Sequence, residues 1–351
     1  CQASTQCDLR DYASEYQVKT EEVDCASDKH RFPVDKSSEF IVFDANRCIS
    51  CGLCVQTCQE DTQHGVLQFT QGSLRPHFAN GESMGGSSCV QCGACVQVCP
   101  TGALADKRDK SYSRVEILKP VKTVCTYCGV GCNVVLYVDE KDNKVRYVEG
   151  DKNSPVNQGM LCVKGRFGFD FIHSPERLTQ PLVRQNGKLV PTSWENAIET
   201  IAKRFTEIKQ KHGSNALGGF SSAKTNNQDN YLFQKLIRRE FGTNNVDHCA
   251  RLCHASTVTG LEASIGSGAM TNDIASIQHS DVIFVIGSDT TSAHPIIASH
   301  LKQAVSRGAK LIVADPKRIG MADVATLHVQ QRPGTDVMLL NGIMQQIIQN
   351  A

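Results

Sequence analysis

Two stretches with the same cysteine spacing decide the fold of the front of this chain: CISCGLCVQTC at residues 48–58 and CVQCGACVQVCP at residues 89–100. Each follows C-x2-C-x2-C-x3-C, so the second stretch repeats the first. The 17 cysteines of the 351-residue chain could form a disulfide framework, but such frameworks belong to short secreted chains with dispersed cysteines. Tight C-x2-C units instead indicate thiolates that bind a metal.

The spacing of both stretches resembles that of two-cluster ferredoxins, in which the fourth cysteine of each run binds the cluster of the other run. The resemblance predicts two 4Fe-4S sites, which we call site 1 (Cys48, Cys51, Cys54, Cys99) and site 2 (Cys58, Cys89, Cys92, Cys95). Zinc knuckles are the alternative, but two runs that share eight cysteines argue against them. Gln59 stands where the pattern usually has proline, and this departure leaves the ligands intact.

A third cysteine group occupies CTYCGVGC at residues 125–132 and GMLCVKGRFG at residues 159–168. Four thiolates suffice for one more 4Fe-4S cluster, and we call this group site 3: Cys125, Cys128, Cys132, Cys162. Lys164 follows closely, and a solvated surface lysine is its default interpretation. Its nearness to Cys162 favours a functional role.

Periodicity predicts a β-containing unit followed by an α/β region. The Val-rich stretch 134–148 reads as a hairpin that turns at 140–143. Beyond Pro191, helices are predicted at 194–211 and 230–241, and buried strands at 281–287 and 310–314 with a crossover helix at 293–307. Ligands of such open parallel sheets bind at the carboxyl ends of the strands. The region has no G-x-G-x-x-G motif, so an ordinary dinucleotide fold is not supported.

Charge and hydropathy exclude several functions. The 37 basic and 36 acidic residues leave a net charge of +1, which removes the electrostatic case for nucleic acid or an anionic membrane surface. No apolar run approaches the length of a membrane span and no signal peptide is visible, so we expect a cytoplasmic protein. The chain starts at Cys1 without an initiator Met and ends at Ala351 just after a helical pattern, which we interpret as a fragment.

The remaining cysteines differ in their surroundings. Cys1 and Cys7 are too few for a cluster, and we expect their missing ligands to precede the chain. Cys25 and Cys249 read as ordinary buried cysteines. Cys253, in HCARLCH at residues 248–254, is followed by His254 and lies in a predicted loop of the α/β region. A nucleophilic thiol and a metal-ligating thiolate both remain open for it.

The chain from Cys125 to Ile343 resembles the catalytic (alpha) subunit of molybdopterin-dependent formate dehydrogenases. The resemblance rests on seven motifs in order: CTYCGVGC, GMLCVKGRFG, SSAKTNNQDNYLFQKLIR, HCARLCH, GSDTTSAHP, ADPKR and QRPGTD. It implies that Cys253 binds molybdenum or tungsten, that His254 handles protons, and that Lys164 lies between site 3 and a pterin. It also implies bis-molybdopterin guanine dinucleotide contacts at Gly287, Ser288, Thr291, His294, Asp315, Arg318, Arg332, Pro333, Gly334, Thr335 and Asp336. Without the resemblance, ordinary turn and cap chemistry would explain these last residues.

Residues 1–110 resemble the large cluster-bearing subunit of complex I and the accessory region of iron-only hydrogenases. This resemblance implies that Cys1 and Cys7 are the last two cysteines of a site with one histidine and three cysteines. Such a front end is similar to that of soluble NAD-linked formate dehydrogenases, which pass electrons to a flavoprotein partner of the NADH-dehydrogenase type.

The sequence therefore predicts an α+β ferredoxin-like two-cluster domain followed by an α/β molybdopterin oxidoreductase domain. The predicted segments are a partial 4Fe-4S segment (1–38), the two-cluster domain (39–110), a small 4Fe-4S domain (120–178) and the front of the molybdopterin domain (179–351). The expected function is oxidation of formate to CO2. A nitrate reductase is the first alternative, against which His254 argues, and a complex I-type electron-transfer subunit without molybdenum is the second. A hydrogenase would need a hydrogen-splitting domain that this sequence lacks.

Overall fold

The computed structural model of the chain describes residues 15–17, 32–70, 75–108 and 118–350. It contains two compact units, the first formed by residues 1–169 with 272–351 and the second by residues 170–271. Cys1, Cys7 and Cys25, and with them most of the predicted segment 1–38, lie outside the described residues. None of the helices in the described part of the chain is long and apolar enough to cross a bilayer.

The front of unit 1 is built from four short strands and two short helices around one apolar core. The strands are β1 (Ile41–Phe43), β2 (Leu67–Gln68), β3 (His77–Phe78) and β4 (Leu104–Asp106), and the helices are α1 (Leu53–Gln56) and α2 (Ala94–Val98). β1 pairs with β4 and β2 with β3, both antiparallel. A single turn of π-helix, Thr57–Asp61, extends α1. Ile41, Met84 and Leu104 are almost fully buried in the core that both helices contact.

The middle of unit 1 is an antiparallel sheet in the order β5–β6–β7 followed by a five-residue helix. Its elements are β5 (Lys119–Val124), β6 (Asn133–Asp139), β7 (Lys144–Gly150) and α3 (Val163–Phe167). β6 and β7 confirm the predicted hairpin. β5 was not predicted, because all six of its residues are exposed and its sequence, KPVKTV, does not alternate clearly between apolar and polar side chains.

Unit 2 contains a hairpin, a parallel strand pair and four helices. The strands are β8 (Leu182–Gln185), β9 (Lys188–Pro191), β10 (Gly219–Ser221) and β11 (Val246–His248), and the helices are α4 (Trp194–His212), α5 (Asn227–Lys235), α6 (Ala250–Cys253) and α7 (Ala255–Ile265). The Ser193 side chain caps α4 by accepting a hydrogen bond from Asn196 N at 3.2 Å, and Gly213 ends the helix. The helices predicted at 194–211 and 230–241 are thus confirmed, with the second beginning three residues earlier and ending in a π-helical turn, Leu236–Phe241.

The back of unit 1 is a parallel sheet in the order β12–β13–β14. Its elements are β12 (Val282–Ile286), α8 (Thr290–Ala293), α9 (Pro295–Ser306), β13 (Lys310–Ala314), β14 (Leu327–Val329) and α10 (Asp336–Asn350). The two predicted strands and the crossover helix, which is α9, are confirmed to within two residues.

Helix α9 also joins the sheet to the cysteine-bearing regions. The hydroxyl of Ser299 donates to the carbonyl of Thr62 at 3.2 Å, and the imidazole Nε2 of His300 lies 3.3 Å from the carbonyl of Val156. Both side chains are buried, so the front, middle and back of unit 1 are packed together through this helix.

Candidate functional site

The structure brings the eight cysteines of the repeat together in two groups of four. One cavity is lined by Cys48, Cys51, Cys54 and Cys99, and another by Cys58, Cys89, Cys92 and Cys95. Each run therefore contributes three thiols to one cavity and its fourth thiol to the other. These are the groupings of site 1 and site 2.

The two cysteine loops share one backbone conformation. Ser50 and Gln91 have φ values of 58° and 53°, and Gly52 and Gly93 have φ values of 81° and 70°. The backbone N–H of Ser50 points at Cys48 Sγ and that of Gln91 at Cys89 Sγ, each at 3.4 Å. Amides that donate to thiolate sulfur stabilise a cluster ligand, so the loops suit 4Fe-4S binding.

Burial raises the pKa of several of these thiols, and neighbouring thiolates raise it further. The pKa of Cys54 is raised to about 12, by burial first and then by Cys99, Cys48 and Cys51. The pKa of Cys92 is raised to about 11, chiefly by burial, and that of Cys95 is raised well above its ordinary value for the same reason. Four thiolates can therefore coexist in such a cavity only when cations lie between them.

Four thiols can bind either a single zinc ion or a 4Fe-4S cluster. A zinc site requires its four ligands around one centre, whereas each thiolate of a 4Fe-4S cluster binds a different iron. In the described residues, no group of three or more His, Cys, Asp or Glu side chains is arranged to hold a single metal ion.

Site 3 forms where the loop after β7 returns to the start of β6. The buried side chain of Asn157 fixes this loop, because it accepts a hydrogen bond from Asn133 N and donates one to Met160 O, each at 2.8 Å. The loop delivers Cys162 beside the other three thiols. Burial, followed by Cys125, Cys128 and Cys162, raises the pKa of Cys132 to about 12. All four predicted members of site 3 are thus neighbours.

Lys164 lies on α3, which begins directly after Cys162. Its side chain is exposed, and its ammonium lowers the pKa of Cys125, opposing the larger effect of burial. The ammonium of Lys164 is therefore close enough to site 3 to act electrostatically on Cys125.

Arg166, two residues further along α3, was not singled out by the sequence. It is only 3% exposed, and its Nε donates to the carbonyl of Cys92 at 2.8 Å. Its two terminal nitrogens donate to Gln97 Oε1 at 2.6 Å and to the carbonyl of Val148 at 3.4 Å. Arg166 thus connects the helix that follows Cys162 to the cysteine loop of site 2. Only its position beside Lys164 in the same motif could have pointed to it.

Cys253 and His254 lie in unit 2, at the end of α6. β10 and β11 are parallel, so the loops that follow them meet at one edge, where Ala223 N donates to Cys249 Sγ at 3.3 Å. Cys249 is thus exposed rather than buried as predicted, because it lies in this surface loop, and Cys253 is exposed as well. Leu252 between them, in α6, is 97% exposed, so both thiols lie at the surface of the unit.

The predicted dinucleotide residues gather at the carboxyl ends of β12, β13 and β14, which we call the carboxyl edge. Residues 287–291 follow β12, Asp315 follows β13, and residues 332–336 follow β14. Asp289 accepts hydrogen bonds from the hydroxyls of Thr291 and Ser292, each at 2.9 Å. His294 directly precedes α9, and Arg318 pairs with Asp323 at 2.9 Å. In residues 332–336, a tight turn with Gly334 at φ 82° leads into α10.

Gln331 is a further polar group at the carboxyl edge that the sequence did not identify. Its Nε2 donates to Asp336 Oδ1 at 2.8 Å, while its Oε1 is buried without a hydrogen-bond partner. A buried acceptor of this kind is costly unless a donor reaches it. The orphaned oxygen, the Asp289 cluster and the adjacent hydroxyls fit a ligand rich in hydrogen-bonding groups, such as a pterin dinucleotide.

Comparison with known proteins agrees with this arrangement. The 4Fe-4S dicluster domain family matches residues 47–103, the Molybdopterin oxidoreductase Fe4S4 domain family matches residues 118–174, and the Molybdopterin oxidoreductase family matches residues 177–351. Together the two molybdopterin oxidoreductase families cover the chain from residue 118 onward, apart from two residues.

Two of the curated relatives illustrate the formate dehydrogenase names found among them. The chain is 46% identical, over 230 residues, to the F420-dependent formate dehydrogenase subunit alpha of Methanocaldococcus jannaschii, a match that covers 66% of this chain and 33% of the relative. It is 35% identical, over 356 residues, to the putative formate dehydrogenase YrhE of Bacillus subtilis, covering 90% of this chain and 36% of the relative. The chain thus spans about a third of the length of these curated relatives.

Among solved structures, acetylene hydratase from Pelobacter acetylenicus matches with a TM-score of 0.57 and 25% identity, over 65% of this chain and 32% of that one. The family matches, the relatives and the cysteine sites agree with one another. The chain therefore belongs to the molybdopterin oxidoreductases, with an Fe4S4 domain preceded by a 4Fe-4S dicluster domain.

Proposed function

We propose that this chain forms the cluster-bearing front of a formate dehydrogenase catalytic subunit, which oxidises formate to CO2 and can run in reverse. Each formate releases one CO2, one proton and two electrons. The names of the curated relatives support formate as the substrate. The observation in the structure that carries the proposal is the grouping of twelve cysteines into three four-thiol sites, with Lys164 beside site 3.

The thiols of sites 1, 2 and 3 would each hold one 4Fe-4S cluster, and the loop conformation and N–H to sulfur contacts fit this role. Cys1 and Cys7 would contribute to a fourth cluster. The carboxyl edge would bind the guanine dinucleotide parts of two molybdopterins. Residues that supply amides, hydroxyls and carboxylates there include Ser288, Thr291, Asp315 and Thr335, and His294 and Arg318 add basic side chains.

When bound, the molybdenum or tungsten centre supplies the two-electron acceptor that no side chain can provide. Cys253 would bind it as a soft thiolate ligand, and its exposure at the end of α6 makes the thiol accessible. The neighbouring His254 would take the proton, since a ring nitrogen of imidazole can accept a proton and release it again. Lys164 would assist electron transfer to site 3, because a cation beside a cluster ligand stabilises incoming negative charge.

The electron acceptor is part of the proposal. The cysteine-rich front of the chain favours a flavoprotein partner of the NADH-dehydrogenase type, and therefore NAD in the cytoplasm. The F420-dependent relative supplies the second candidate. Anaerobic assays of the protein with its partner, using NAD and F420 in parallel, distinguish the two by the wavelength at which reduction is seen.

Formate-dependent reduction of a viologen dye by the holoprotein tests the reaction, with nitrate-dependent oxidation of the reduced dye as the competing assay. We expect the first and not the second. Iron without molybdenum or tungsten in the purified holoprotein would instead indicate a pure electron-transfer subunit.

Cys253→Ser tests the metal ligand, and Cys249→Ser is its matched control, because both thiols are exposed and lie four residues apart, just before α6 and at its end. We expect Cys253→Ser to abolish formate oxidation while leaving the iron content and cluster spectra unchanged. Cys249→Ser should retain turnover. Formate oxidation by Cys253→Ser at the wild-type rate would remove Cys253 from the active site.

A further inference from the structure

Arg166 is a buried cation whose hydrogen bonds all go to neutral acceptors. Its partners are the carbonyls of Cys92 and Val148 and the side-chain amide of Gln97. Within the described residues it forms no ion pair with a carboxylate: Asp106 pairs with Arg108, and Glu149 accepts a hydrogen bond from the hydroxyl of Tyr137. A buried guanidinium without a directly paired carboxylate is expensive, so nearby anions must compensate its charge.

The anions that favour the charged form of Arg166 are, from the strongest to the weakest, Cys92, Glu149, Cys95 and Asp106, so two thiols of site 2 are among them. Burial lowers the pKa of Arg166, and Cys92, when ionised, opposes this shift more strongly than any other group. The stem of Arg166 also lies against the loop of site 2, where a side-chain carbon at Gly93 would collide with its Cδ and come within 2.8 Å of its Nε. The guanidinium therefore adjoins the wall of the cavity that Cys92, Cys95 and Gly93 line.

We propose that Arg166 is the counter-ion of the site 2 cluster and raises the reduction potential of that cluster, so that electrons leaving site 3 enter site 2. The inference rests on the proposed function, because it requires clusters at both sites. A 4Fe-4S cluster with four thiolates is an anion whose negative charge grows by one on reduction. A nearby buried cation stabilises the reduced form more than the oxidised form, since the interior screens charge weakly.

The position of Arg166 suits this role because its backbone lies close to site 3 and its side chain contacts the loop of site 2. It lies in the short helix that begins directly after the site 3 ligand Cys162, while its Nε holds the carbonyl of the site 2 ligand Cys92. Gln97, its other partner, bonds both backbone groups of Gly150 at the end of β7, at 3.2 and 3.3 Å. The same contacts that place the charge therefore also fix the separation of sites 2 and 3.

Site 1 provides an internal control. Arg75 donates to the backbone carbonyl of Cys48, a cysteine of site 1, at 2.6 Å. Sites 1 and 2 therefore each contain a cysteine whose backbone carbonyl accepts a hydrogen bond from an arginine. Arg75 is only half-buried, however, and water screens its charge. Arg75→Gln is thus the matched control for Arg166→Gln.

The test is a mediated redox titration of the holoprotein followed by low-temperature EPR, in which Cys95→Ser identifies the site 2 signal. In Arg166→Gln we expect the ratio of reduced to oxidised site 2 cluster at a fixed potential to fall about tenfold, which is about 59 mV for a one-electron couple. Arg166→Lys, which keeps the charge, should titrate close to wild type. Arg75→Gln should leave the site 2 potential unchanged.

An unchanged site 2 potential in Arg166→Gln would overturn the inference, and so would equal shifts in the Gln and Lys variants, which would assign the effect to hydrogen bonding alone. If Arg166→Gln loses iron, Arg166→Lys is titrated at rising pH. The inference then expects the potential to fall as the lysine loses its proton, and a potential that stays flat up to pH values at which the lysine is neutral contradicts it. A wild-type protein without any signal sensitive to Cys95→Ser would refute the proposed function instead.

Discussion

Sites 1 and 2 arise from one repeated pattern but lie in different surroundings. At site 1 the ligand Cys51 is exposed, and its neighbours Ile49 and Leu53 are 61% and 43% exposed. At site 2 the loop glycine, Gly93, is covered by Arg166 and Phe167, which come from the small 4Fe-4S domain. The repeat thus determines the ligands, whereas the residues that later parts of the chain place against each loop determine its polarity and exposure.

Sites 1 and 2 also differ in their contacts with the rest of unit 1. Site 2 is joined to the domain of site 3 through Arg166 and Gln97, whereas site 1 has an exposed cysteine, Cys51.

The largest effect comes from removing the fourth cysteine of each run, which tests whether the two sites really exchange a ligand. Because Cys58 lines the site 2 cavity and Cys99 the site 1 cavity, Cys58→Ala should remove the EPR signal that Cys95→Ala removes. Cys99→Ala should instead remove the signal lost in Cys54→Ala. The iron content of each variant should fall by the amount in one cluster. If Cys58→Ala and Cys54→Ala abolished the same signal, the ligands would not be exchanged between runs.

We expect a smaller effect on stability from substituting Gly52 and Gly93, which occupy equivalent positions in the two cysteine loops. Different side chains pack against these two glycines. Both have positive φ, so alanine at either position costs about 1 kcal/mol of backbone strain. At Gly52 the added carbon would meet Phe69 at an ordinary 3.7 Å, whereas at Gly93 it would approach Phe167 Cζ to 2.8 Å and displace Arg166. Overpacking adds about 1–3 kcal/mol, so Gly93→Ala should be the less stable variant by that amount.

Thermal or denaturant unfolding of both holoprotein variants, followed by loss of cluster absorbance, measures this difference. The wild-type protein and a conservative change at an exposed helix position, such as Lys203→Arg on α4, serve as references. Equal destabilisation by Gly52→Ala and Gly93→Ala would mean that the contact of Gly93 with Arg166 carries no packing energy.

The sequence predicted the features that depend on local spacing. Cysteines two or three residues apart fold into one loop, so three members of each site could be anticipated from spacing alone. The distant fourth members Cys99 and Cys58 were anticipated only from the resemblance to two-cluster ferredoxins, and Cys162 only from a separate motif. The strands β12 and β13 were found because their β-branched, apolar residues form short runs bounded by turns. Strand β5 was missed because nothing buries it and its pattern is that of a polar linker.

Features that depend on distant partners could not be predicted. The role inferred for Arg166 depends on its hydrogen bonds to Cys92, which is 74 residues away in the sequence, and to Gln97, which is 69 residues away. Gln331 is notable only because its oxygen is buried at the end of a strand without a partner. The contacts of Arg166 and the burial of Gln331 cannot be predicted from their flanking residues, because both depend on how distant parts of the chain pack.

The smallest predicted effect is the pH dependence of the stability of the iron-free protein, to which sites 1 and 2 contribute differently. In the protein without iron, raised thiol pKa values favour the protonated thiol in the folded state. Their contribution to stability is therefore complete below the ordinary thiol value of 9.0 and is lost as pH rises towards about 11 for Cys92 and about 12 for Cys54. Site 2 has three such thiols, Cys89, Cys92 and Cys95, so replacing all three with alanine should flatten the alkaline decline in melting temperature more than Cys54→Ala does.

The holoprotein should not show this thiol-dependent loss, because its thiolates bind iron rather than protons. Melting curves of both forms between pH 8 and pH 11 measure the effect, and parallel declines with and without iron would show that the thiols do not cause it.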